Sequence, residues 1–272
     1  MSTALFDIGG TKTRVSITRN GTTFRRALVY PTPRHYRQGI QQLDNAIRTI
    51  ADGWKISRII GSIAAPLDTK HTKTIAAANL SNWFGFPITA DLHHRFQVPV
   101  RLENDAALAG LGEATRGAGR GYRIVAYLTL STGVGGVRIV RQSIDDSAVG
   151  FEPGNIVVSQ TKDKVIQLDT LISGAGLSRR YRQAPELLKG RAVWRELEHN
   201  LALGLTTVTA LWSPHIIVLG GAIGRSPQLQ LKNVRSIVRR TLLHLPEPPK
   251  IVKGTLGDVA GLWGAMALLK KG

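Results

Sequence analysis

The sequence predicts an α/β protein built of two related domains, and three observations predict it. Apolar runs of strand length alternate with segments of helical period along the chain. A strand ending in a glycine turn and followed by a second strand occurs near residue 5, with Gly9-Gly10, and again near residue 125, with Gly133 and Gly135-Gly136. At 272 residues the chain is long enough for two such domains, each with its own core.

Residues 4–7 form the first apolar run, followed by strands over 14–18 and 24–30. Arg19-Asn20-Gly21-Thr22 lies between the last two, and Asn-Gly is a strong hairpin signal because both residues tolerate positive φ. Residues 38–54 carry Ile40, Leu43, Ile47 and Ile50 at helical spacing. Residues 59–65 and 98–102 read as buried strands, the second running directly into an Ala-rich helix over 104–114. In the second half a strand at 124–130 leads through a glycine-rich turn, 131–136, into a strand at 137–141. Helices are expected over 168–181 and 191–212, then a strand at 215–219 opening into Gly220-Gly221, then a closing helix over 257–270. Gly117-Ala118-Gly119-Arg120-Gly121 is the natural linker. The expected domains are therefore 1–117 and 118–272, with the closing helix packing back on the first.

Lys and Arg number 36 against 18 Asp and Glu, a formal charge of +18. Such a charge concentrates anionic partners near the surface. The basic residues are scattered, however, in short clusters such as Arg25-Arg26, Arg179-Arg180-Tyr181-Arg182, Arg239-Arg240 and Lys270-Lys271. Nucleic-acid modules concentrate charge on one element and interleave it with aromatics, which make up only 6% here. The excess is read as a generally basic surface, a polyanionic small substrate being the next reading, and no nucleic-acid partner is expected. The absence of cysteine excludes a disulfide scaffold, a Cys-ligated zinc and a thiol nucleophile. Residues 1–10 lack the basic and apolar regions of a signal peptide, and the longest uncharged stretch, 200–224, is broken by Ser213-Pro214-His215 and Gly220-Gly221. A soluble, cytoplasmic protein without a membrane span is expected.

Five segments carry chemistry. In Asp7-Ile8-Gly9-Gly10-Thr11-Lys12 the glycines let backbone N–H groups approach an anion. Thr11 adds a hydroxyl, Lys12 a charge, and Asp7 a ligand for Mg²⁺. Leu130-Ser131-Thr132-Gly133-Val134-Gly135-Gly136 is a second such turn, and two phosphate loops facing across a cleft would clamp a polyphosphate chain. For each the competing reading is an ordinary tight turn. Glu103-Asn104-Asp105 ends a strand and starts a helix, where carboxylates meet ligands in α/β sheets, although Asn104 or Asp105 could simply cap the helix. Ala78-Asn79-Leu80-Ser81-Asn82-Trp83 offers amides, a hydroxyl and an indole suited to a sugar, or a surface loop over a buried Trp. Ile216-Ile217-Val218-Leu219-Gly220-Gly221 is a strand opening where backbone could abut a nucleoside, or a plain strand and turn. The histidines assemble no HExxH site, and no Gly-x-Ser-x-Gly is present.

Taken in order, these segments resemble the ROK family (repressors, open reading frames and sugar kinases) of the actin/hexokinase/Hsp70 ATPase superfamily. The resemblance is completed by Leu256-Gly257-Asp258-Val259-Ala260-Gly261-Leu262-Trp263-Gly264-Ala265, similar to the family's closing helix. It implies two RNase H-like domains with sugar and ATP·Mg²⁺ in the cleft between them. It also implies Asp105 as the base that takes the proton from the sugar hydroxyl. By the same resemblance Asp7 with Mg²⁺, Gly9, Gly10, Thr11, Lys12, Thr132 and Gly133 hold phosphates, and Gly220 and Gly221 face the adenosine. Asn79, Asn104, Asp105, Glu152, Asn155 and Asp169 are the implied sugar contacts.

The chain also departs from the family pattern. Glu152-Pro153-Gly154-Asn155 has Asn where family kinases carry His, and the Cys-rich zinc loop is shortened and lacks Cys. Asp169 stands where a Glu is expected, Ala64-Ala65 replaces a Pro-Gly, and Ser131 replaces the first Gly of the second loop. No structural zinc is expected. The resemblance implies an ATP- and Mg²⁺-dependent hexose kinase acting on glucose, fructose or an N-acetylhexosamine, and suggests a homodimer. Two alternatives stand beside it: a polyphosphate-dependent glucokinase, and a sugar-binding sensor of the same fold without turnover. The family's repressors carry an N-terminal helix-turn-helix, and with the first phosphate segment at residue 7 DNA binding by that route is not expected.

Overall fold

The computed structural model describes residues 2–75, 80–162, 164–243 and 247–270. In chain order these form β1 (Ser2–Ile8), β2 (Lys12–Thr18), β3 (Leu28–Pro31), α1 (Tyr36–Ala51), β4 (Ile56–Ile63), α2 (Ile88–Phe96), β5 (Val100–Asn104) and α3 (Asp105–Arg116). Next come β6 (Ile124–Leu130), β7 (Val134–Val140), β8 (Ser143–Ile144), β9 (Val157–Thr161), β10 (Lys164–Gln167), α4 (Leu168–Ile172), α5 (Gly174–Tyr181) and α6 (Arg191–Trp212). The chain closes with β11 (Ile216–Gly220), α7 (Gly221–Gly224), α8 (Leu231–Thr241), β12 (Lys250–Lys253) and α9 (Ala260–Leu269).

These elements fall into two compact units. One comprises Met1–Gly112, Asp146–Gly150 and Val259–Gly272, the other Glu113–Asp145 and Phe151–Asp258. Each unit contains a five-stranded sheet, in the order β3-β2-β1-β4-β5 and β8-β7-β6-β11-β12. In both, the first three strands are antiparallel and the last three parallel. The repetition expected from the two glycine turns is thus a repetition of topology, and the α/β class is confirmed.

In the first unit β1, the middle strand of this mixed sheet, is buried almost throughout, because helices cover both faces of the sheet. Phe6, Ile8, Ile17, Ile40, Leu43, Ile47 and Trp83 form its core with α1. On the first unit's sheet α9 packs against β1 and β4. In the second unit Leu128, Leu130, Ile217 and Leu219 of the sheet meet Leu197, Leu201 and Leu205 of α6. Among the described residues no helix is long and apolar enough to cross a membrane.

Several expected boundaries move for identifiable reasons. The third strand begins at Leu28 rather than residue 24, because Phe24 turns out of the ladder to pack on Trp263, 4.8 Å between ring centres. Arg25 meanwhile lies over Trp54 at 3.7 Å. Helix α1 ends at Ala51, not residue 54, since Asp52 and Gly53 take left-handed φ of 49° and 78°. The helix expected over 168–181 is two helices, broken at Ser173, whose Oγ caps α5 by accepting from the Gly176 N–H at 2.9 Å. The second glycine turn is only three residues, and β7 starts at Val134 rather than 137. The expected closing helix starts as a short 3-10 turn at Gly257–Val259 before α9.

One buried charge fixes α6 to α8. Glu198, 1% exposed, accepts from Arg191 at 2.8 and 2.5 Å, from the Gln230 N–H at 2.8 Å and from Asn233 at 2.7 Å. Burial alone would raise its pKa, but the hydrogen bonds and the Arg191 charge outweigh burial and hold it below the ordinary value. A lowered carboxylate pKa gives stability that is present above the unfolded value, about 4.3, and is lost as pH falls through the folded one. Glu198→Ala should destabilise by about 3 kcal/mol in denaturant melts. The deficit should shrink as the wild type is titrated below about pH 4.

Candidate active site

The β1–β2 turn is fixed by backbone bonds. The Gly9 N–H donates to Lys12 O at 3.0 Å, the Thr32 N–H to Thr11 O at 3.0 Å, and Thr32 Oγ1 to Gly9 O at 2.7 Å. With the turn clamped this way, the side chains of Thr11 and Lys12 stand exposed beyond Gly9 and Gly10. Just before the turn, Asp7 accepts from Ser62 Oγ at 2.7 Å, and the Arg14 guanidinium lies 3.8 Å from its other oxygen. A Cβ built on Gly261 of α9 would stand 3.1 Å from the Asp7 carboxyl carbon. A methyl group here would press on the carboxylate and displace it by a few tenths of an ångström. An oriented carboxylate oxygen beside a hydroxyl and a cationic turn fits Mg²⁺ held largely by phosphate and water, since that ion takes few protein ligands. Among the described residues no group of three or more His, Asp or Glu could hold a metal by itself. If Asp7 holds Mg²⁺ as the family resemblance implies, Gly261→Ala should leave the fold nearly intact yet raise the concentration of Mg·nucleotide needed for half-saturation, measurable by isothermal titration.

The second group lies at the same end of the same sheet. Ile8 pairs with Ile63, and Ile63 with Asn104, so the ends of β1 and β5 are two strands apart, about 10 Å. Asn104 Oδ1 accepts the N–H groups of Ala106 and Ala107 at 2.9 and 3.2 Å, and Nδ2 donates to Ala65 O at 3.3 Å. Asn104 therefore caps α3. Asp105 is the first residue of α3, and its Oδ1 accepts from the Ala106 N–H at 2.8 Å. Glu103, on the opposite face of the strand, is 5% exposed and is held by His71 at 2.9 Å and Arg101 at 3.3 Å. The expected sugar contact Asn79 lies outside the described residues.

The second unit gathers its own set. The turn Ser131-Thr132-Gly133 is closed by the Ser131 N–H donating to Gly133 O at 3.0 Å, and Ser131 and Thr132 are exposed. The first N–H groups of α5, Gly174 and Ala175, donate to Ser131 O at 2.7 Å and Thr132 O at 2.9 Å. Asp169 of α4 accepts the Val134 N–H on Oδ1 at 2.8 Å and Ser173 Oγ on Oδ2 at 3.3 Å. Next along the sheet, β11 ends at Gly220 beside Thr129. Gly221 has φ +75°, and a Cβ there would stand 2.2 Å from Leu130 O. Backbone alone thus fits between the two strand ends. Asn155 is exposed at the end of the Pro153–Asn155 turn. Glu152 precedes it, its pKa raised first by burial and then by the nearby Asp169 carboxylate.

The structure therefore places Asp7, Gly9, Gly10, Thr11, Lys12, Asn104 and Asp105 in one unit, and Thr132, Gly133, Glu152, Asn155, Asp169, Gly220 and Gly221 in the other. Sequence reasoning did not find Ser62, Thr32 or Ser173. Ser62 and Thr32 carry no pattern, since each acts on a residue distant in sequence, whereas Ser173 acts locally, on Asp169 and Gly176. Nor did it find Glu113, 1% exposed, which accepts the N–H groups of Ala118 and Leu256 at 2.8 and 2.9 Å.

Comparison with known proteins identifies the family and the fold. The profile of the ROK family matches residues 3–272. The chain is 28% identical over 300 residues to the N-acetyl-D-glucosamine kinase of Escherichia coli, covering 97% of both proteins. Its fold is that of a ROK hexokinase from Thermus thermophilus, with a TM-score of 0.84 at 24% identity over 100% of both chains. It is also that of a ROK family glucokinase from Streptomyces griseus solved with glucose and AMPPNP, with a TM-score of 0.83 at 24% identity, again over 100% of both. On the match across residues 3–272, the chain belongs to the ROK family.

Proposed function

We propose that the protein is a sugar kinase that transfers the γ-phosphoryl group of ATP to a hydroxyl of a hexose or N-acetylhexosamine. The observation that carries this is the register of the first sheet, in which Asp7 and Asp105 lie at one end of its parallel strands, two strands apart. Asp105 accepts the proton of the attacking hydroxyl as the new oxygen–phosphorus bond forms and the bond from the γ-phosphorus to the ADP leaving group breaks. Thr11 and Lys12 donate to phosphate oxygens from the first turn, and Thr132 with the backbone at Gly133 does so from the second. Asp7 would hold Mg²⁺, which supplies neutralisation of the charge on the phosphate oxygens. On the family pattern Gly220 and Gly221 lie where the adenosine of the nucleotide donor would bind. Asn104, fixed by its capping bonds, presents the strand end to the sugar. On the family pattern Asn79, Glu152 and Asn155 add sugar contacts.

Purified protein supplied with Mg·ATP or with polyphosphate, against glucose, fructose, mannose, N-acetylglucosamine and N-acetylmannosamine in turn, tests this. Sugar phosphate formed with ATP is the expected result. Transfer from polyphosphate alone would overturn the donor assignment, and transfer from neither would overturn the kinase reading.

A further inference from the structure

We infer that Asp169 is a positioning residue for the donor-phosphate hairpin and not a ligand of the sugar. The inference rests on the kinase reading above for its catalytic consequence, though not for its geometry. Asp169 sits in the first turn of α4, and each carboxylate oxygen has a protein partner close to the 131–134 turn. Oδ1 takes the N–H of Val134, the first residue of β7, at 2.8 Å. Oδ2 takes Ser173 Oγ at 3.3 Å, and that same Oγ accepts the Gly176 N–H at 2.9 Å. The Ser173 N–H returns to Asp169 O at 3.0 Å. The next two N–H groups along the chain, Gly174 and Ala175, hold Ser131 O and Thr132 O.

The result is a closed circuit. The carboxylate fixes one side of the hairpin through Val134, α5 fixes the other through residues 131 and 132, and Ser173 joins the two. Space within the circuit is short. A Cβ on Gly133 would stand 3.4 Å from Asp169 Oδ1, and one on Gly154 would stand 3.3 Å from Asp169 Cβ. A side chain one methylene longer would carry its carboxylate past the Val134 N–H. Aspartate therefore fits the bracket.

Three substitutions separate positioning from substrate contact. Asp169→Asn keeps an oxygen for the Val134 N–H, and its amide can donate to Ser173 Oγ, so kcat/KM for the nucleotide should stay within about threefold of wild type. Asp169→Ala empties the bracket and lets the hairpin shift, which should lower kcat/KM for the nucleotide by about 10²-fold with the sugar KM unchanged. Asp169→Glu should not rescue. Amide hydrogen exchange at Val134 gives a readout independent of turnover. Protection should be retained in the Asn variant and lost in the Ala variant, even if the wild type transfers no phosphoryl group. A rise in sugar KM with the nucleotide KM unchanged would overturn the inference. So would equal Val134 protection in all variants, or a severe loss in the Asn variant.

Discussion

Asp105→Asn should abolish sugar phosphorylation, lowering kcat by about 10³- to 10⁴-fold, the upper range for removal of a general base. The substitution keeps the volume and keeps an oxygen that can accept the Ala106 N–H now bonded at 2.8 Å. Helix α3 would still be capped by Asn104, which holds the Ala106 and Ala107 N–H groups. The variant should therefore melt within a degree or two of wild type and bind Mg·nucleotide with unchanged affinity. A variant that retained a tenth of wild-type kcat would assign the proton to another acceptor. One that lost nucleotide binding would make Asp105 part of the donor site.

Gly264→Ala should be the most damaging single methyl group in the first unit. A Cβ at Gly264 would lie 1.8 Å from Leu108 O and 2.8 Å from Leu108 Cα, so α9 and α3 touch backbone to backbone. Neither partner is the flexible end of a side chain, and relief requires moving a helix axis. Overpacking of this kind costs about 3 kcal/mol, a fall in melting temperature of roughly 6–12 °C for a chain of this size. The displacement would also carry Gly261 away from Asp7, so Mg·nucleotide affinity should fall with stability. Calorimetry with titration on the same sample checks both, and an unchanged melting temperature would contradict the packing described.

The sequence announced the architecture because its signals are local. The Asp7–Lys12 and Leu130–Gly136 segments mark strand ends by glycine and hydroxyl content, and a doubled pattern betrays a doubled topology. Asn104 and Asp105 were legible as a helix start and as a candidate site, and the structure bears out the helix start. Asn104 supplies the cap, while Asp105 occupies the first helical position. What was not legible depends on partners far away in sequence. Ser62 on Asp7, Thr32 on Gly9 and Glu113 on Leu256 are long-range bonds with no spacing rule. Asp169 was found by its place in the family pattern, but its bonds to Val134 and Ser173 could not be read from that pattern. The late start of β3 depends on Phe24 meeting Trp263, a contact across most of the chain. The break at Ser173 could have been suspected, since Ser followed by Gly-Ala-Gly is a cap signal inside a helical stretch.

The central claim is that this chain moves a phosphoryl group from nucleotide to sugar through Asp105. The most direct test follows transfer of labelled γ-phosphate from Mg·ATP to glucose and to N-acetylglucosamine, for wild type and Asp105→Asn, with nucleotide binding measured on both. Labelled sugar phosphate from the wild type alone, with equal nucleotide binding, is the predicted result. Nucleotide and sugar binding without labelled product from the wild type would contradict it and leave a sensor built on a kinase fold.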